Sequence, residues 1–376
     1  MITRLEARDY RCLKQVDQPL GPFHVLAGPN GSGKSAFLDV LGFVKDLVTG
    51  NLQQALEARS RNFRDLVWCR EGYRFDLGVE ASIPPGLMSA RSIRYLLGVH
   101  FDVRSDQPGI SSEEVWVDTQ AVIRREGNRT QGFLETEEAA GPVAGLELPG
   151  VCSALANLSD EGRFPGTAWL RKLLGQGVQP IRLRAEALRA PNPPDPGMVL
   201  TPAGSNLARV VAALQQEWPQ RFQDWVAHLQ TSLPDVEAVR TDERPDGRYV
   251  VVRYRGGPEV PSWMISEGTL RLMALTILPY LPVCRGIYLV EEPEASLHPH
   301  AIETVYQSLS SLYEGQVFIE TQSPLLVALA NKEQLLCFRR TEEEGTVITS
   351  GAEHPALAQW KRELTLGELF AAGVLD

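Results

Sequence analysis

The octapeptide Gly28-Pro29-Asn30-Gly31-Ser32-Gly33-Lys34-Ser35 constrains the fold of this chain more than any other stretch. The apolar run Phe23–Ala27 precedes it, and the residues after it carry apolar side chains at 37, 40, 41 and 44, which is helical spacing. Strand, glycine-rich loop and helix in this order are typical of a phosphate-binding loop, because backbone N–H groups and the helix N-terminus converge on oxyanions. The sequence therefore predicts a P-loop α/β fold with a mixed sheet at its core.

Two residues of this loop have predicted roles beyond the backbone cradle. Lys34 is expected to reach the β- and γ-phosphates of ATP, and the Ser35 hydroxyl is expected to ligate Mg²⁺. The alternative is a chance glycine-rich turn, which average residue usage would produce in a chain of this length with a probability on the order of one in a hundred. The residues predicted to bind the nucleotide here are Asn30, Gly31, Ser32, Gly33, Lys34, Ser35 and Ala36.

A second apolar run, at residues 286–290, ends in the acids Glu291 and Glu292. Such a run is typical of a buried parallel strand, and ligand sites in open α/β sheets lie off the carboxyl ends of strands. We expect Glu291 to bind Mg²⁺ directly or through water, and Glu292 to orient and polarise the attacking water. The alternative is an acidic strand end that caps the following helix.

Four further residues are candidate contacts for the phosphates. Ser266 and the backbone of Gly268 open a predicted helix, whose N-terminus attracts anions, although Ser266 taken alone is only a helix cap. Gln322 follows a predicted buried strand at residues 316–320, so its side chain can sense the phosphate. Arg11 precedes the loop and can lie near phosphates, with a solvated charge as the alternative.

Composition predicts a globular protein with a sizeable core, because 43% of its 376 residues are hydrophobic. No run of about 18 apolar residues occurs and the N-terminus lacks a signal peptide's apolar stretch, so we expect a cytoplasmic protein with no membrane contact. The cysteines are odd in number and never form a C-x-x-C pair, which argues against a disulfide framework or a thiolate zinc site; they are Cys12, Cys69, Cys152, Cys284 and Cys337.

The formal charge of −10 argues against a surface coated for nucleic-acid binding, although a local arginine patch remains compatible with it. The best basic cluster comprises Arg182, Arg184 and Arg189. A solvated face is the default interpretation of this cluster, with contact to nucleic acid or a protein partner as the alternative.

The pattern of elements predicts three consecutive parts. Residues 1–145 form a nucleotide-binding lobe in which short strands separated by turns make an antiparallel layer. Residues 146–235 form a helical insertion that is too short for a long coiled-coil arm, and the proline-rich stretch 191–197 within it is a loop. Residues 236–376 form a C-terminal lobe that carries the remaining site segments.

The ordered segments GPNGSGKS, ISEGTLRLMAL, IYLVEEPEASLHP and ETQSP resemble ABC-type ATPases of the RecF/SMC-like group, in particular compact AAA members related to the overcoming-lysogenization-defect (OLD) ATPases. The resemblance covers residues 1–130 and 236–340, roughly. It implies that two subunits pack head to tail with ATP between them, so that Ser266 and Gly268 act on the partner's nucleotide. It also implies catalytic roles for Glu292, Gln322 and Lys34.

Three residues depart from the pattern of this family. Glu291 stands where most relatives carry Asp, Gln322 stands where His is usual, and Glu267 lies inside the signature segment where small residues are common. We assign no residue to the glutamine loop of this family, because Gln53 and Gln54 lie in the expected half of the chain but in no convincing sequence context. These departures predict slow ATP hydrolysis.

The leading hypothesis is an ATP-driven switch that acts in DNA maintenance, repair or anti-phage defence. Because about 50 residues follow the ETQSP segment, we expect any nuclease to be a separately encoded effector, and DNA is a possible partner. One alternative is the nucleotide-binding subunit of a transporter, and another is a scaffold that holds ATP without hydrolysing it. A GTPase is disfavoured, because Gln334 stands where a guanine-reading Asp is needed.

Overall fold

A computed structural model describes residues 1–133, 135, 142–158, 161–192, 198–282, 285–358, 360 and 364–375. Its strands are β1 (Ile2–Tyr10), β2 (Leu13–Pro19), β3 (Phe23–Ala27), β4 (Arg74–Ser82), β5 (Ser92–Asp102), β6 (Gln107–Val117), β7 (Gln120–Glu126), β8 (Arg129–Phe133), β9 (Pro142–Glu147), β10 (Val178–Ile181), β11 (Val236–Arg244), β12 (Gly247–Tyr254), β13 (Glu259–Pro261), β14 (Ile287–Glu291), β15 (Gln316–Thr321), β16 (Leu335–Thr341) and β17 (Gly345–Ser350). Its helices are α1 (Lys34–Thr49), α2 (Leu52–Glu57), α3 (Ala154–Asn157), α4 (Pro165–Lys172), α5 (Ala185–Arg189), α6 (Leu207–Glu217), α7 (Pro219–Ser232), α8 (Glu267–Thr276), α9 (Pro299–Ser310), α10 (Pro324–Leu329), α11 (Pro355–Ala358) and α12 (Leu366–Ala371).

The chain divides into two compact units, each built from separate segments. The first comprises Met1–Pro22, Gly28–Val178 and Cys337–Thr349, and the second comprises Phe23–Ala27, Gln179–Leu336 and Ser350–Asp376. The division of the sequence at residues 145 and 235 into three consecutive parts stays a prediction. Residues 193–197 of the predicted proline-rich loop, and Cys284, lie outside the residues that the structure describes.

The first unit contains an antiparallel sheet in which neighbouring strands follow the order β2-β1-β4-β5-β6-β7-β8-β9. Leu5 of β1 is buried and pairs with Gln18 on β2 and with Val79 on β4. Buried apolar side chains alternate with more exposed polar ones along β1, β4 and β5, as expected for a sheet with one face in the core. The predicted antiparallel layer is confirmed.

A fully buried ion pair links this sheet to the segment that begins α3. Glu113 of β6 and Arg125 of β7 are 0% and 1% exposed, and the Glu113 carboxylate accepts hydrogen bonds from the Tyr95 hydroxyl (2.8 Å), the Ser153 hydroxyl (2.6 Å) and the Ala154 backbone (2.7 Å). A buried charge is tolerable only when it is paired and hydrogen-bonded in this way. The cluster therefore holds the strand layer and the start of the helical segment together within the unit.

Helix α1 lies in the first unit and packs with the side chains that its spacing predicted. Phe37, Val40, Leu41 and Val44 are all buried, and the Phe37 ring packs edge-on to Phe338 with ring centroids 5.6 Å apart. Burying four such side chains contributes about 6–12 kcal/mol relative to leaving them exposed. This apolar face fixes the helix whose N-terminus follows the glycine-rich loop.

The second unit contains a sheet segment with the strand order β10-β14-β15-β3. Strands β14, β15 and β3 are parallel, with Glu291 opposite Glu320 and Thr321 opposite Ala27. Their carboxyl ends therefore lie along one edge, and Ala27 is the residue immediately before the glycine-rich loop. Together with the antiparallel layer, this parallel core confirms the predicted α/β class with a mixed sheet.

One strand of this core was missed by the sequence interpretation. Residues 178–181, inside the predicted helical insertion, form β10 next to β14. The stretch is only four residues long and contains Pro180, a residue that removes a backbone donor and makes a strand assignment from sequence unsafe. The strand stands at one end of the sheet order, where a proline is tolerated.

Helices and a small sheet complete the second unit. Strands β11, β12 and β13 form a three-stranded antiparallel sheet, in which Val252 pairs with both Val239 and Val260. Helices α7 and α8 are joined by a hydrogen bond from the buried Trp225 indole to the Thr276 hydroxyl (3.1 Å). In the part of the chain that the structure describes, no helix is both long and apolar enough to cross a membrane.

Candidate nucleotide-binding site

The glycine-rich loop between β3 and α1 has a backbone that its glycines permit. Gly31 has φ +76° and Gly33 has φ +108°, conformations that cost L-residues about 1–2 kcal/mol or more. Ser32, Gly33, Lys34 and Ala36 are buried, whereas Asn30, Gly31 and Ser35 are exposed. The loop thus has the left-handed turns of an anion-binding nest, with Lys34 beginning α1.

Phe338 of β16 and Thr346 of β17 lie in the first unit and pack against this loop. The Thr346 hydroxyl donates a hydrogen bond to the Ser32 carbonyl (2.9 Å), and a Cβ at Gly33 would collide with Thr346, reaching within 2.8 Å of its Cγ2. A Cβ at Gly28 would lie 2.9 Å from the Cβ of Phe338. Sequence reasoning missed Thr346, since nothing in the local pattern signals a contact to a residue more than 300 positions away.

Lys34 and Ser32 have the chemistry of a phosphate cradle. The Lys34 ammonium donates hydrogen bonds to the carbonyls of Gly28 (2.7 Å) and Pro29 (3.0 Å), which keep it folded over the loop. The Ser32 hydroxyl is buried without a hydrogen-bond partner among the residues that the structure describes. A buried hydroxyl of this kind costs free energy unless it makes a hydrogen bond, and a phosphate oxygen can accept a hydrogen bond from it.

Arg11 contacts a carboxylate on the same helix that carries the loop lysine. Its guanidinium lies 3.0 Å from Asp39 of α1, which also accepts hydrogen bonds from Arg59 (2.9 Å) and from the Tyr10 hydroxyl (2.6 Å). Burial and the charge of Asp39 raise the pKa of Tyr10 well above its ordinary value, so its hydroxyl remains the donor. Arg11 is 41% exposed, and its contact with phosphate stays a prediction.

The paired acids at the end of β14 have different partners. Glu291 forms an ion pair with Arg182, in which the Arg182 Nε lies 2.5 Å from the Glu291 Oε1. Glu292 adopts a positive φ of 43°, its N–H donates to the Glu320 carbonyl (2.9 Å), and its Oε1 accepts a hydrogen bond from the Gln322 Nε2 (2.8 Å). The structure therefore brings together Glu292 and Gln322, two residues that were predicted separately.

Glu294, which the sequence interpretation did not single out, positions the segment that contains Gln322. Its Oε1 accepts hydrogen bonds from the Thr321 hydroxyl (2.5 Å) and from the Gln322 backbone N–H (3.2 Å). These bonds tie the turn after β14 to the end of β15. The only sequence signal for this role is the position of Glu294 two residues beyond the paired acids.

The predicted signature helix α8 begins with a hydrogen-bonded cap. The Ser266 hydroxyl accepts a hydrogen bond from the Thr269 N–H (3.2 Å), and a Cβ at Gly268 would collide with the carbonyl oxygen of Ser296. A hydrogen bond from Arg271 lowers the pKa of Glu267, which is therefore ionised at neutral pH. Ser266 thus performs the structural role that was its alternative, and its contact with a partner's phosphate stays a prediction.

The residues present suit magnesium that is bound together with a nucleotide. Ser35 and Glu291 offer a hydroxyl and a carboxylate, the hard oxygen ligands that Mg²⁺ prefers. In the described part of the chain, no group of three or more His, Cys, Asp or Glu side chains is arranged to hold a metal by itself. Mg²⁺ usually keeps several waters and binds through one or two protein ligands plus phosphates, so a hydroxyl or a carboxylate of this kind is chemically suited to be such a ligand.

A family model described as "AAA domain, putative AbiEii toxin, Type IV TA system" matches residues 23–140 and 182–328. Those segments contain every predicted site residue other than Arg11. Among characterised proteins, an "OLD nuclease" from Thermus scotoductus (strain ATCC 700910 / SA-01) is 41% identical over 64 residues. That match spans 17% of this chain and only 11% of the relative's length.

Solved structures with a similar fold include two SMC head domains. One is an SmcHead bound to the C-winged helix domain of ScpA, with a TM-score of 0.59 and 14% identity over 93% of this chain and 97% of that one. The other, from Pyrococcus furiosus, is an Smc head domain with an extended coiled coil bound to the C-terminal domain of ScpA. Its TM-score is 0.55, and it is 14% identical over 93% of this chain and 96% of that one. At this level of identity, the likeness establishes the fold.

Proposed function

This chain belongs to the AAA-domain family whose model it matches, and from that premise we propose that it binds ATP with Mg²⁺ and hydrolyses it slowly. It is an ABC- and SMC-like ATPase related to the OLD nucleases. The observation that carries the proposal is the parallel edge of β14, β15 and β3. The paired acids stand at the end of the first of these strands, and the glycine-rich loop continues directly from the last. Ligand sites of α/β proteins lie at such an edge.

We assign roles to individual side chains on this basis. Lys34 and the loop N–H groups, from Asn30 to Ala36, bind the phosphates, and Ser35 and Glu291 hold the magnesium, which supplies positive charge to the phosphate oxygens. Glu292 Oε2 accepts a proton from the attacking water, while Gln322 donates to Oε1 and fixes the rotamer of the carboxylate. A neutral amide at Gln322 can orient the carboxylate but cannot compensate charge, which supports slow turnover.

We further propose that ATP holds two copies of the chain together. The predicted trans donors Ser266 and Gly268 lie at the N-terminus of a ten-residue helix, and the positive end of a helix attracts anions. Glu267 places a negative charge in the same turn, so the partner's phosphate would bind less tightly here than at a neutral signature. A dimer that forms with ATP and reopens after hydrolysis is a two-state switch biased by the γ-phosphate.

The proteins that this chain resembles suggest where such a switch acts. One is named a nuclease, one is a head domain bound to part of ScpA, and the family description names a toxin of a toxin–antitoxin system. We propose that this chain acts in DNA maintenance or defence together with a separately encoded effector. Affinity purification from the native host is expected to recover such an effector or DNA; recovery of neither would contradict this role.

The ATPase proposal is tested by phosphate release and by solution mass. We expect turnover with Mg²⁺ below about 10 s⁻¹, which is the median of ordinary enzymes. The Glu292→Gln variant, which retains ATP, is expected to shift from monomer or weak dimer to a tight dimer on ATP addition, as measured by light scattering. An unchanged mass with and without ATP would contradict the dimer, and phosphate release at the same background rate in wild type and variant would favour an ATP-binding scaffold.

A further inference from the structure

The ion pair between Arg182 and Glu291 is a feature that the proposed function does not use. Arg182 follows the last residue of β10, the strand next to β14, so it stands beside the strand end that carries Glu291. The Arg182 side chain is 51% exposed and that of Glu291 is 23% exposed, with Nε 2.5 Å from Oε1. The guanidinium therefore contacts an oxygen of the Glu291 carboxylate, which we assign as a magnesium ligand.

The main chain around Arg182 is fixed, whereas its side chain can turn. The Arg182 N–H donates to the Pro202 carbonyl (2.7 Å) and the Arg184 N–H donates to the Ala203 carbonyl (3.1 Å). A long side chain on a pinned backbone can leave its partner by rotamer changes alone, which occur within nanoseconds at exposed positions. Release of Glu291 therefore requires no rearrangement of the sheet.

The surroundings of Glu291 explain why a cation is needed there. Glu292 follows it in the chain, and Glu320 lies opposite it in the register of β14 and β15. Two further carboxylates therefore neighbour Glu291 in the chain or in the strand register, and negative charge at this density attracts a cation. A guanidinium or a divalent cation can meet this need, but the two repel each other, so binding of one weakens binding of the other.

We propose that Arg182 is an exchangeable counter-ion for the carboxylate of Glu291. Its guanidinium pairs with Glu291 in the absence of nucleotide and dissociates from this carboxylate when magnesium binds together with the nucleotide. The proposal rests on the proposed function, since it needs Glu291 to be a magnesium ligand. Displacement of Arg182 costs part of the metal's binding free energy. The chain is thereby biased against holding magnesium without a nucleotide, whose phosphates add the further ligands.

The test measures how strongly magnesium assists nucleotide binding, which needs no hydrolysis. The affinity for a non-hydrolysable ATP analogue is measured in excess Mg²⁺ and in EDTA, and the ratio of the two affinities reports the contribution of the metal. We expect Arg182→Gln to raise this ratio about two- to fivefold, because a partly exposed ion pair contributes no more than this. Arg184→Gln is the matched control, since it removes the same charge from an exposed side chain two residues away.

A double-mutant cycle shows whether the effect passes through Glu291. In a Glu291→Gln background, Arg182→Gln is expected to leave the ratio unchanged. An unchanged ratio in Arg182→Gln alone, or an equal rise in Arg184→Gln, or a rise that persists without Glu291, would overturn the proposal. Failure of the proposed function is distinguishable from these outcomes, because the wild-type protein would then not bind the analogue in either condition.

Discussion

Glu292→Gln is expected to slow ATP turnover by about 10²- to 10⁴-fold, because a positioned general base contributes about this factor. This loss corresponds to about 3–5.5 kcal/mol of activation free energy. The amide has the shape of the carboxylate, and its oxygen can still accept the hydrogen bond that Gln322 donates at 2.8 Å. It cannot accept a proton from water. ATP affinity is therefore expected to stay within about threefold of wild type. Phosphate release and equilibrium binding of the analogue measure the two quantities separately.

Glu303→Gln serves as the matched control for this loss. Glu303 is an exposed carboxylate on α9 in the same unit, where it accepts a hydrogen bond from Gln307 (3.1 Å). Its amide variant is expected to turn over at the wild-type rate. Wild-type turnover in Glu292→Gln would remove this residue from the chemistry, and a matching loss in Glu303→Gln would point to a general effect of lost charge.

Gly33→Ala is expected to abolish detectable nucleotide binding, a loss of at least about 100-fold in affinity. Two effects coincide at this position: the φ of +108° is unfavourable for alanine, and the added Cβ would collide with Thr346. The Thr346 hydroxyl donates to the Ser32 carbonyl, so displacement of Thr346 also removes the support of the loop. Calorimetric titration with the ATP analogue measures the loss, and circular dichroism establishes that the variant is folded.

Gly31→Ala separates backbone strain from collision. Gly31 has a comparable positive φ of +76°, but a Cβ there would meet nothing within 4 Å. We expect this variant to lose about 10-fold in affinity, the equivalent of about 1–2 kcal/mol of left-handed strain. Equal losses in the two variants would show that packing against Thr346 is irrelevant, and full binding by Gly33→Ala would exclude the loop as the phosphate cradle.

The parts of the site that the sequence predicted are those carried by short local patterns. The glycine spacing, the apolar positions Phe37 and Val40 after it, and the apolar run before Glu291 each depend on neighbours within one turn or one strand. Strand β14 and helix α1 have the predicted type for this reason. The resemblance of four ordered segments then added the ABC type of the fold to this α/β prediction.

The parts that the sequence did not predict depend on contacts between distant residues. Thr346 supports the loop from a strand near the other end of the chain, and Arg182 reaches Glu291 from a four-residue strand that contains a proline. A basic cluster is usually a solvated face, so Arg182 carried no sign of its carboxylate partner. Only strand order, which is set by the whole chain, brings such residues together.

The central claim is that the glycine-rich loop and the paired acids act on the same triphosphate and magnesium. Calorimetric titration of the ATP analogue into wild type, Lys34→Ala and Glu291→Gln, each with Mg²⁺ and with EDTA, tests it most directly. The account predicts that Lys34→Ala loses at least about 10-fold in affinity in both conditions, and that Glu291→Gln loses affinity only when Mg²⁺ is present. Unchanged affinity in Lys34→Ala, or a loss in Glu291→Gln that does not depend on Mg²⁺, would contradict it.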